Sequence, residues 1–358
     1  MKKSYYIGID ISKKTLDASI FKCEMEESRF PHIKVDNDKP GFKTIMKLAK
    51  QEKVDLSDCC FCMENTGHYG LDLCVFLEQN NIEYCSVCPL VVKRSMGIAR
   101  DKNDKIDSAR IATFAFEKGY KLKPSKLASE DIMNLKRLQS ERATYVRQRA
   151  SLKTFISDNQ GSSTTKRMEA MVDEYTKQIS KVEKEIRTIV EKNPEISRNY
   201  DLLISVPGVG KVVAITTLIH TNNFRSFDNA RQYACYSGVA PFAHSSGTSV
   251  NSRPMTSRIG DRQIKSEISQ GAMSALRNDA EMNAYYLRKL GEGKPAGVVL
   301  NAIKFKIIER MFAVVHRGTP YAVTHSFKTM KNTATGCLAA GDAKSPKSSL
   351  ILMTANAN

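Results

Sequence analysis

Alternating apolar and polar positions predict a strand hairpin near the start of the chain. Residues 5–11 and 16–21 are rich in β-branched and aromatic side chains, and the turn-like residues 12–15 separate them. This pattern is typical of two paired strands. Asp10 breaks the apolar pattern, and an isolated carboxylate there is costly unless a cation or a hydrogen-bond donor meets it. Taken alone, Asp10 is best interpreted as an acid near a strand end that accepts hydrogen bonds from turn amides.

The next segments predict a mixed sheet flanked by helices, because three adjacent strands are followed by alternating helices and strands. Hydrophobic spacing and turn residues place a strand at 30–36, a helix at 42–51, a buried strand at 59–64, a helix at 69–79, a strand at 82–88 and a short helix from Pro89. The first third of the chain is therefore predicted to be an α/β domain.

The rest of the chain is predicted to be mainly helical. Between residues 125 and 192, apolar side chains recur about every seven residues in two arms, which predicts a helical hairpin or coiled coil for spacing or self-association. Further helices are expected at 266–290 and 296–317. The predicted domains are an α/β domain at 1–122, a coiled-coil helical arm at 123–195, a mainly α C-terminal domain at 196–322 and a disordered tail at 323–358.

Composition narrows the class of partner. The chain has 358 residues, 41% of them hydrophobic, and a formal net charge of +17. A positive excess of this size favours a polyanionic partner, either nucleic acid or an acidic membrane surface. No apolar run approaches the roughly 20 residues that cross a bilayer. The N-terminus leads directly into a strand, so we expect no membrane span and no signal peptide.

The chain has nine cysteines, an odd number that favours buried thiols in a reducing cytoplasm over a disulfide framework. Cys85 and Cys88 have the spacing of half a zinc site, but no second pair follows, so we interpret this segment as a core strand. The cysteines in apolar, strand-like sequence are Cys59, Cys60, Cys62, Cys74, Cys85 and Cys88.

Two acids three residues apart lie on a predicted helix, so the carboxylates of Asp104 and Asp107 project from one face. Like charges this close repel one another unless a cation lies near them. For this pair alone, a solvated acidic turn neutralised by Lys102, Lys105 and Arg110 is the better interpretation.

Together with Asp10 and Glu64, which lie on strands of one predicted sheet, this pair forms a set of four carboxylates. Mg²⁺ prefers oxygen ligands, and paired ions can clamp the attacking and leaving oxygens of a phosphodiester. The order of the acids resembles the ribonuclease H-like fold in its RuvC resolvase branch. In that branch the first acid sits on the first strand, the second near the end of the fourth, and the last on a C-terminal helix.

Two motifs in the second half point to nucleic acid. The sequence Pro-Gly-Val-Gly-Lys at 207–211 is typical of a helix-hairpin-helix turn, in which backbone N–H groups suit a phosphate. A plain turn between helices is a comparable interpretation, and the basic charge of the chain favours the nucleic-acid backbone. The residues expected to bind it here are Gly208, Gly210 and Lys211.

The second motif is a Ser-Gly segment, residues 236–249, followed by several cations. Composition alone indicates a surface loop. The functional interpretation is a serine hydroxyl presented to a phosphodiester, with cations stabilising the charge on the phosphoryl oxygens. The cations are Arg253, Arg258, Arg262 and Lys265.

In their joint order these motifs resemble the transposases of the insertion sequence 110 family, the RNA-guided bridge recombinases. The match runs from Asp10 through the 102–108 motif, Pro-Gly-Val-Gly, Ser-Gly and Lys294-Pro295 to Tyr321. The resemblance implies a RuvC-like domain, a coiled-coil arm and a C-terminal domain with a helix-hairpin-helix-like element and a nucleophilic serine.

Carried over by position, the resemblance makes Asp10, Glu64, Asp104 and Asp107 the ligands of Mg²⁺ or Mn²⁺. Ser246 would attack DNA and form a phosphoserine link, although Ser245 adjoins it and is an alternative nucleophile. The implied partners are double-stranded donor and target DNA, a structured guide RNA and further copies of the chain, from dimer to tetramer. The implied location is the bacterial cytoplasm, in association with the nucleoid.

Two other functions compete with recombination. A metal-dependent nuclease or junction resolvase would use the four acids and water, and would leave hydrolysed ends without a protein–DNA adduct. A non-enzymatic nucleic-acid scaffold would carry the acids for structure alone, so that Asp10→Ala would change neither metal binding nor activity. We rank recombinase first, nuclease second and scaffold third.

Overall fold

The structure is a computed structural model. It describes residues 3–22, 25–65, 67, 69–95, 103–160, 165–246, 250–257 and 259–322, with the backbone alone at 28, 243–246 and 250–253. The chain divides into two compact units, Met1–Ala128 and Ser129–Asn358. The tail predicted at 323–358 lies outside the described residues.

The first unit contains a five-stranded mixed sheet with the strand order β3-β2-β1-β4-β5. The first three strands are antiparallel, and β4 and β5 continue parallel to β1. The predicted hairpin and mixed sheet are therefore confirmed. The strands are β1 (Tyr5–Ile11), β2 (Thr15–Ile20), β3 (His32–Asp36), β4 (Cys59–Glu64) and β5 (Tyr84–Val87).

Helices cover both faces of this sheet. Helices α1 (Lys39–Gln51) and α2 (Leu71–Gln79) pack on one face over an aliphatic core. Helices α3 (Pro89–Ser95) and α4 (Asp104–Lys118) lie over the other face. Helix α1 begins three residues before its predicted start, because the Asp38 side chain accepts a hydrogen bond from the Gly41 N–H at 2.8 Å and caps the helix.

Three thiols, those of Cys60, Cys62 and Cys85, are buried in the core on the face of the sheet that α3 and α4 cover. Cys59 and Cys74 are buried as well, as predicted. Cys88 differs from the prediction: it lies beyond the end of β5 and is exposed, so the core strand ends before the second cysteine of the Cys-x-x-Cys segment.

Helix α4 approaches β1 so closely that only glycine fits at the crossing. A Cβ atom on Gly8 would overlap the carbonyl oxygen of Ser108 and the backbone nitrogen of Ala112. Beside this crossing, the buried hydroxyls of Ser19 and Ser108 share a hydrogen bond of 2.7 Å. Backbone contact at Gly8 thus sets the distance between the sheet and the helix.

The second unit begins with two long helices, α5 (Glu130–Asp158) and α6 (Thr165–Lys192), packed along each other. They are antiparallel, because Arg142 pairs with Glu183 and Arg149 donates to Thr176. The buried apolar side chains of α6 recur at helical spacing and are Ile179, Val182, Ile186 and Val190.

In the described part of this unit, six further helices and one strand pair follow. Helix α12 is central, and its buried apolar side chains contact α7, α9, α10 and α11. This part of the chain is mainly helical, as predicted. The elements are α7 (Pro194–Ile204), α8 (Lys211–His220), α9 (Ala230–Tyr236), β6 (Pro241–Ser246), β7 (Val250–Thr256), α10 (Arg262–Asn278), α11 (Ala280–Gly291) and α12 (Ala296–Arg317).

Two predictions for this unit were wrong. Within the Ser-Gly segment, residues 241–246 form a strand rather than a loop, because β6 pairs with the antiparallel β7. Residues 247–249 of the segment lie outside the described residues. The helix predicted at 266–290 is two helices. Asp279 ends α10 and caps α11, and Arg310 holds it from α12 at 2.6 Å.

Gly8→Ala should destabilise the protein by at least about 2 kcal/mol, because the added methyl group meets backbone atoms that cannot rotate away. Urea unfolding followed by circular dichroism measures the change. Gly297→Ala is the matched control, since a Cβ there meets no atom within 4 Å. An unfolding free energy of Gly8→Ala equal to that of the control would contradict the close contact.

Candidate active site

Strand geometry brings Asp10 and Glu64 together at one end of the sheet. In the parallel pairing of β1 with β4, Ile9 lies opposite Met63, so the next residues along the two strands are Asp10 and Glu64. Side chains alternate along a strand, so Asp10 lies on the same face as Gly8, the face that α4 covers. Glu64 ends β4, as the sequence predicted.

The start of α4 supplies the other two acids. The Asn103 side chain accepts a hydrogen bond from the Ile106 N–H at 2.8 Å and caps the helix, and Asp104 and Asp107 lie in the first turn. Carboxylates are stabilised there by the free N–H groups and by the helix dipole. The contact of Gly8 with Ser108 positions this turn near Asp10.

The carboxylates of Asp10, Glu64 and Asp107 interact with one another electrostatically. Burial raises the pKa of Asp10, and the charges of Asp107, Asp104 and Asp17 raise it further. Burial also raises the pKa of Glu64, with further contributions from Asp10 and Asp107. Asp10 thus interacts with Asp107 and Asp104, and Glu64 interacts with Asp10 and Asp107.

Asp104, the fourth predicted acid, has a different neighbour. Its side chain is 61% exposed, and its Oδ2 lies 3.0 Å from the Nζ of Lys34. The same ammonium lies 3.3 Å from the Oδ2 of Asp17. The Asp107 carboxylate, in the first turn of α4, pairs with Arg110 of the next turn at 3.5 Å.

Sequence reasoning missed Asp17, His32 and Lys34. Asp17 lies opposite Asp10 on β2 and is buried, with its Oδ1 2.8 Å from the Nε2 of His32. Lys34 lies opposite Asp17 on β3. A signal for Asp17 was available, because it alternates with the apolar Leu16 and Ala18. The partners from β3 become visible only once the strand register is known.

The chemistry of the acids fits a hard divalent cation, since carboxylate oxygens are the ligands of Mg²⁺ and Mn²⁺. The pKa values of Asp10 and Glu64 are raised first by burial and further by the neighbouring carboxylates, so a bound cation would favour their ionised forms. Within the described part of the chain, no three Asp, Glu, His or Cys side chains are close enough to form a ready-made metal site. The donor types fit, and coordination requires the acids to move closer together.

The candidate serines lie at the end of strand β6. Ser245 is paired with Asn251 and Ser246 with Val250 in the β6–β7 hairpin. Their side chains and that of Arg253 are not among the described atoms, and Arg258 lies outside the described residues.

The other two predicted cations begin helix α10. Arg262 is its first residue and is exposed. Lys265 is partly buried, and its Nζ donates to the Thr256 hydroxyl at 3.4 Å. Lys265 therefore contacts the end of β7, whereas Arg262 remains at the surface.

The two glycines of the Pro-Gly-Val-Gly turn have different roles. Gly208 has a φ of +89°, and a Cβ there would lie 2.5 Å from the carbonyl oxygen of Gly271 on α10. This glycine allows the turn to pack against α10. Gly210 has open space around it and precedes α8 without a side-chain cap, and Lys211 is exposed. Of the three predicted phosphate-binding residues, Gly210 and Lys211 are open to a ligand.

Two protein-family models match this chain. A model for DEDD transposases of the IS110 type, described as "Transposase", matches residues 7–159, which include all four predicted acids. A second, described as "Transposase IS116/IS110/IS902 family", matches residues 200–287, which include both candidate serines. Together they cover the regions that hold the predicted site residues.

Two relatives match over nearly their whole length. The "Pilin gene-inverting protein" of Moraxella bovis is 24% identical over 329 residues, which cover 88% of this chain and 97% of the relative. The protein of the same name from Moraxella lacunata has the same identity and coverage. The "Insertion element IS110 uncharacterized 43.6 kDa protein" of Streptomyces coelicolor is 31% identical over 140 residues, which cover 39% of this chain and 33% of that protein.

Among solved structures, Thermus thermophilus RuvC in complex with a Holliday junction substrate matches with a TM-score of 0.27 and 12% identity. The match covers 34% of this chain and 99% of RuvC.

None of the described helices is long and apolar enough to cross a membrane.

The acidic group should make stability depend on pH in a defined direction. Because the pKa values of Asp10 and Glu64 are raised, the folded state binds more protons than the unfolded state above about pH 4. Without divalent metal, stability should therefore fall as the pH rises through this window, and then level off above the folded-state pKa values.

Asp10→Asn should reduce this fall, and thermal melts in EDTA across the pH range measure it. Glu117→Gln, which removes an exposed charge at the far end of α4, is the control and should leave the slope unchanged. Excess Mg²⁺ should stabilise the wild-type protein more than Asp10→Asn. Equal stabilisation of both would contradict a role for Asp10 in binding the cation.

Proposed function

Because the chain belongs to the IS116/IS110/IS902 family of transposases, and is thus a DNA recombinase, we propose that it cuts and rejoins DNA through a covalent serine link assisted by a divalent metal. The observation that carries this proposal is the grouping of Asp10, Glu64 and Asp107 at the start of α4. A bound cation would relieve their mutual repulsion and could also contact a phosphate.

The four acids, Asp10, Glu64, Asp104 and Asp107, would hold Mg²⁺ or Mn²⁺. The bound metal would supply Lewis-acid stabilisation of charge on the reacting phosphodiester. Asp10 and Glu64 stand on neighbouring strands and keep fixed positions, because the sheet orders both backbones. Asp104, exposed and paired with Lys34, has to leave this ammonium to join them. Lys34 therefore competes with the metal for one ligand.

The proposed serine step is a transesterification. The Oγ of Ser246 attacks phosphorus and loses its proton, a phosphoserine diester forms, and the phosphorus–oxygen bond to one sugar breaks. The released sugar oxygen takes up a proton. The reverse step, with a sugar hydroxyl of another strand, rejoins the DNA. Ser245 is the alternative nucleophile, because it is the neighbouring residue on β6.

The names of the relatives favour rejoining over hydrolysis. Two of them are called pilin gene-inverting proteins, and inversion of a DNA segment requires that every cut end be joined again. A phosphoserine link keeps the energy of the phosphodiester for that joining step, whereas hydrolysis loses it. We therefore assign the same reaction class to this chain.

The rest of the second unit would hold nucleic acid and other subunits. We assign the turn between α7 and α8 to a helix-hairpin-helix-like contact with the phosphate backbone through Gly210 and Lys211. Arg253, Arg258 and Arg262 would bind phosphates beside the hairpin. We assign α5 and α6 to a coiled-coil arm for association into a dimer or tetramer, supported by the apolar stripe of α6.

We extend the proposal to a structured noncoding RNA as the guide for target choice. A net charge of +17 supports binding of more than one nucleic-acid segment. If base pairing reads the sequence, the protein needs only backbone and shape contacts.

A metal-dependent nuclease is the second candidate. The observation that favours it is that the acids all lie in the first compact unit, so that metal-assisted attack by water needs no residue from the second.

The test is an adduct assay. The wild-type protein should form a protein–DNA adduct that survives denaturing electrophoresis when it is incubated with Mg²⁺ and duplexes from the flanks of its own gene. Ser246→Ala should abolish the adduct and lower cleavage at least about 100-fold, as expected for loss of a nucleophile. DNA affinity should stay at the wild-type value.

Ser245→Ala is the matched control, since it alters the neighbouring hydroxyl. Loss of the adduct in Ser245→Ala with retention in Ser246→Ala would move the nucleophile by one residue. Cleavage without an adduct in the wild-type protein would support the nuclease instead.

A further inference from the structure

The β6–β7 hairpin joins the helical unit at a root formed by the segment before β6 and the end of β7. Helix α12 contacts this root, because the Asn301 side chain donates to the carbonyl of Val239 at 2.8 Å. Lys304 follows three residues later, so it lies on the same face of α12 as Asn301. Lys304 therefore faces the hairpin root.

A second lysine reaches the same root from helix α10. The Nζ of Lys265 donates to the Thr256 hydroxyl at 3.4 Å, at the end of β7. Its Cδ would lie 3.9 Å from a Cβ at Gly238, in the segment before β6. The Lys265 side chain thus spans the two sides of the root.

The two lysines share one environment, and among the described residues neither has an acidic partner. Neither ammonium has a carboxylate within 4 Å among the described residues. Burial lowers the pKa of Lys304, and the charge of Lys265 lowers it further. Two partly buried like charges repel each other, and an anion between them relieves both the repulsion and the loss of hydration.

We propose that Lys265 and Lys304 form a binding site for one phosphate group of the DNA backbone at the root of the serine hairpin. A phosphodiester presents two non-bridging oxygens, so each ammonium can donate to one of them in a charge-assisted hydrogen bond. Lys304 is an addition to the sequence-predicted set, in which Lys265 was one of several cations. The placement of this phosphate relative to the reaction rests on the proposed function of the hairpin.

The length of the hairpin separates this phosphate from the reacting one. Pro241 pairs with Thr256 at the root, and Ser246 stands five residues further along β6, a distance of about 17 Å at roughly 3.4 Å per residue. Nucleotides of one DNA strand also advance about 3.4 Å along the duplex axis. The lysine pair would therefore hold the backbone several nucleotides from the cut and position the strand without touching the reacting atoms.

The salt dependence of DNA affinity tests this site. The probe is a duplex from the flank of the protein's own gene, and its dissociation constant is measured by fluorescence anisotropy over a range of KCl concentrations. Log affinity falls linearly with log salt concentration, and loss of one phosphate contact makes this negative slope shallower by about 0.9. We expect a shallower slope for each of the single variants Lys265→Met and Lys304→Met. The double variant should also have a shallower slope, with a total change of no more than about 0.9.

Lys294→Met is the matched control, because it removes one exposed charge of the same kind just before α12. Lys304→Arg should keep the wild-type slope, which separates loss of charge from disturbed folding. A slope for Lys304→Met equal to that of the Lys294→Met control overturns the proposal. A drop of about 1.8 in the double variant also overturns it, because the lysines would then bind two separate phosphates.

The outcome of the salt-dependence test does not depend on the serine chemistry. Ser245→Ala combined with Ser246→Ala should keep the wild-type slope. If the adduct assay fails while the lysine variants lower the slope, the phosphate site stands and the nucleophile assignment falls. If the adduct forms while Lys304→Met behaves like the control, the nucleophile stands and the phosphate site falls.

Discussion

The first unit depends on one steric condition: strand β1 carries no side chain where helix α4 crosses it. Gly8 permits contact between the two backbones at Ser108 and Ala112. Because the crossing lies two residues before Asp10, the first turn of α4 reaches the strand ends where Asp10 and Glu64 stand. With a side chain at this crossing, α4 would lie further from the sheet, and its acids would lie further from Asp10 and Glu64.

Close packing thus imposes an unfavourable charge distribution. Burial and the neighbouring carboxylates raise the pKa values of Asp10 and Glu64, while Lys34 pairs with Asp104 and Arg110 pairs with Asp107. The apolar core beneath α4 stabilises the unit enough to keep the acids together. Natural proteins retain such local conflicts mainly where function requires them, and this supports the proposed role of the acids as metal ligands.

Much of the first unit could be predicted because its signals are local. Alternation gave the β1–β2 hairpin, and Asp10 and Glu64 stood out as acids in apolar strands. The bond between Lys34 and Asp104 could not be predicted, since it depends on how α4 docks on the sheet and joins residues 70 positions apart in the sequence. In the second unit, composition indicated a loop where pairing with β7 forms β6. The break at Asp279 was missed because Arg310, which holds it, lies 31 residues away in sequence.

The accessibility of the thiols on this face of the sheet measures how firmly the covering helices pack against it. Cys60 and Cys62 are fully covered and Cys85 nearly so, while α4 lies on the sheet. A cysteine reagent can reach them only when the packing over this face of the sheet opens, and lifting of α4 would also separate Asp107 from Asp10. The alkylation rate of these three sulfurs therefore reports how often the acidic group comes apart, and a ligand that binds all four acids should slow it.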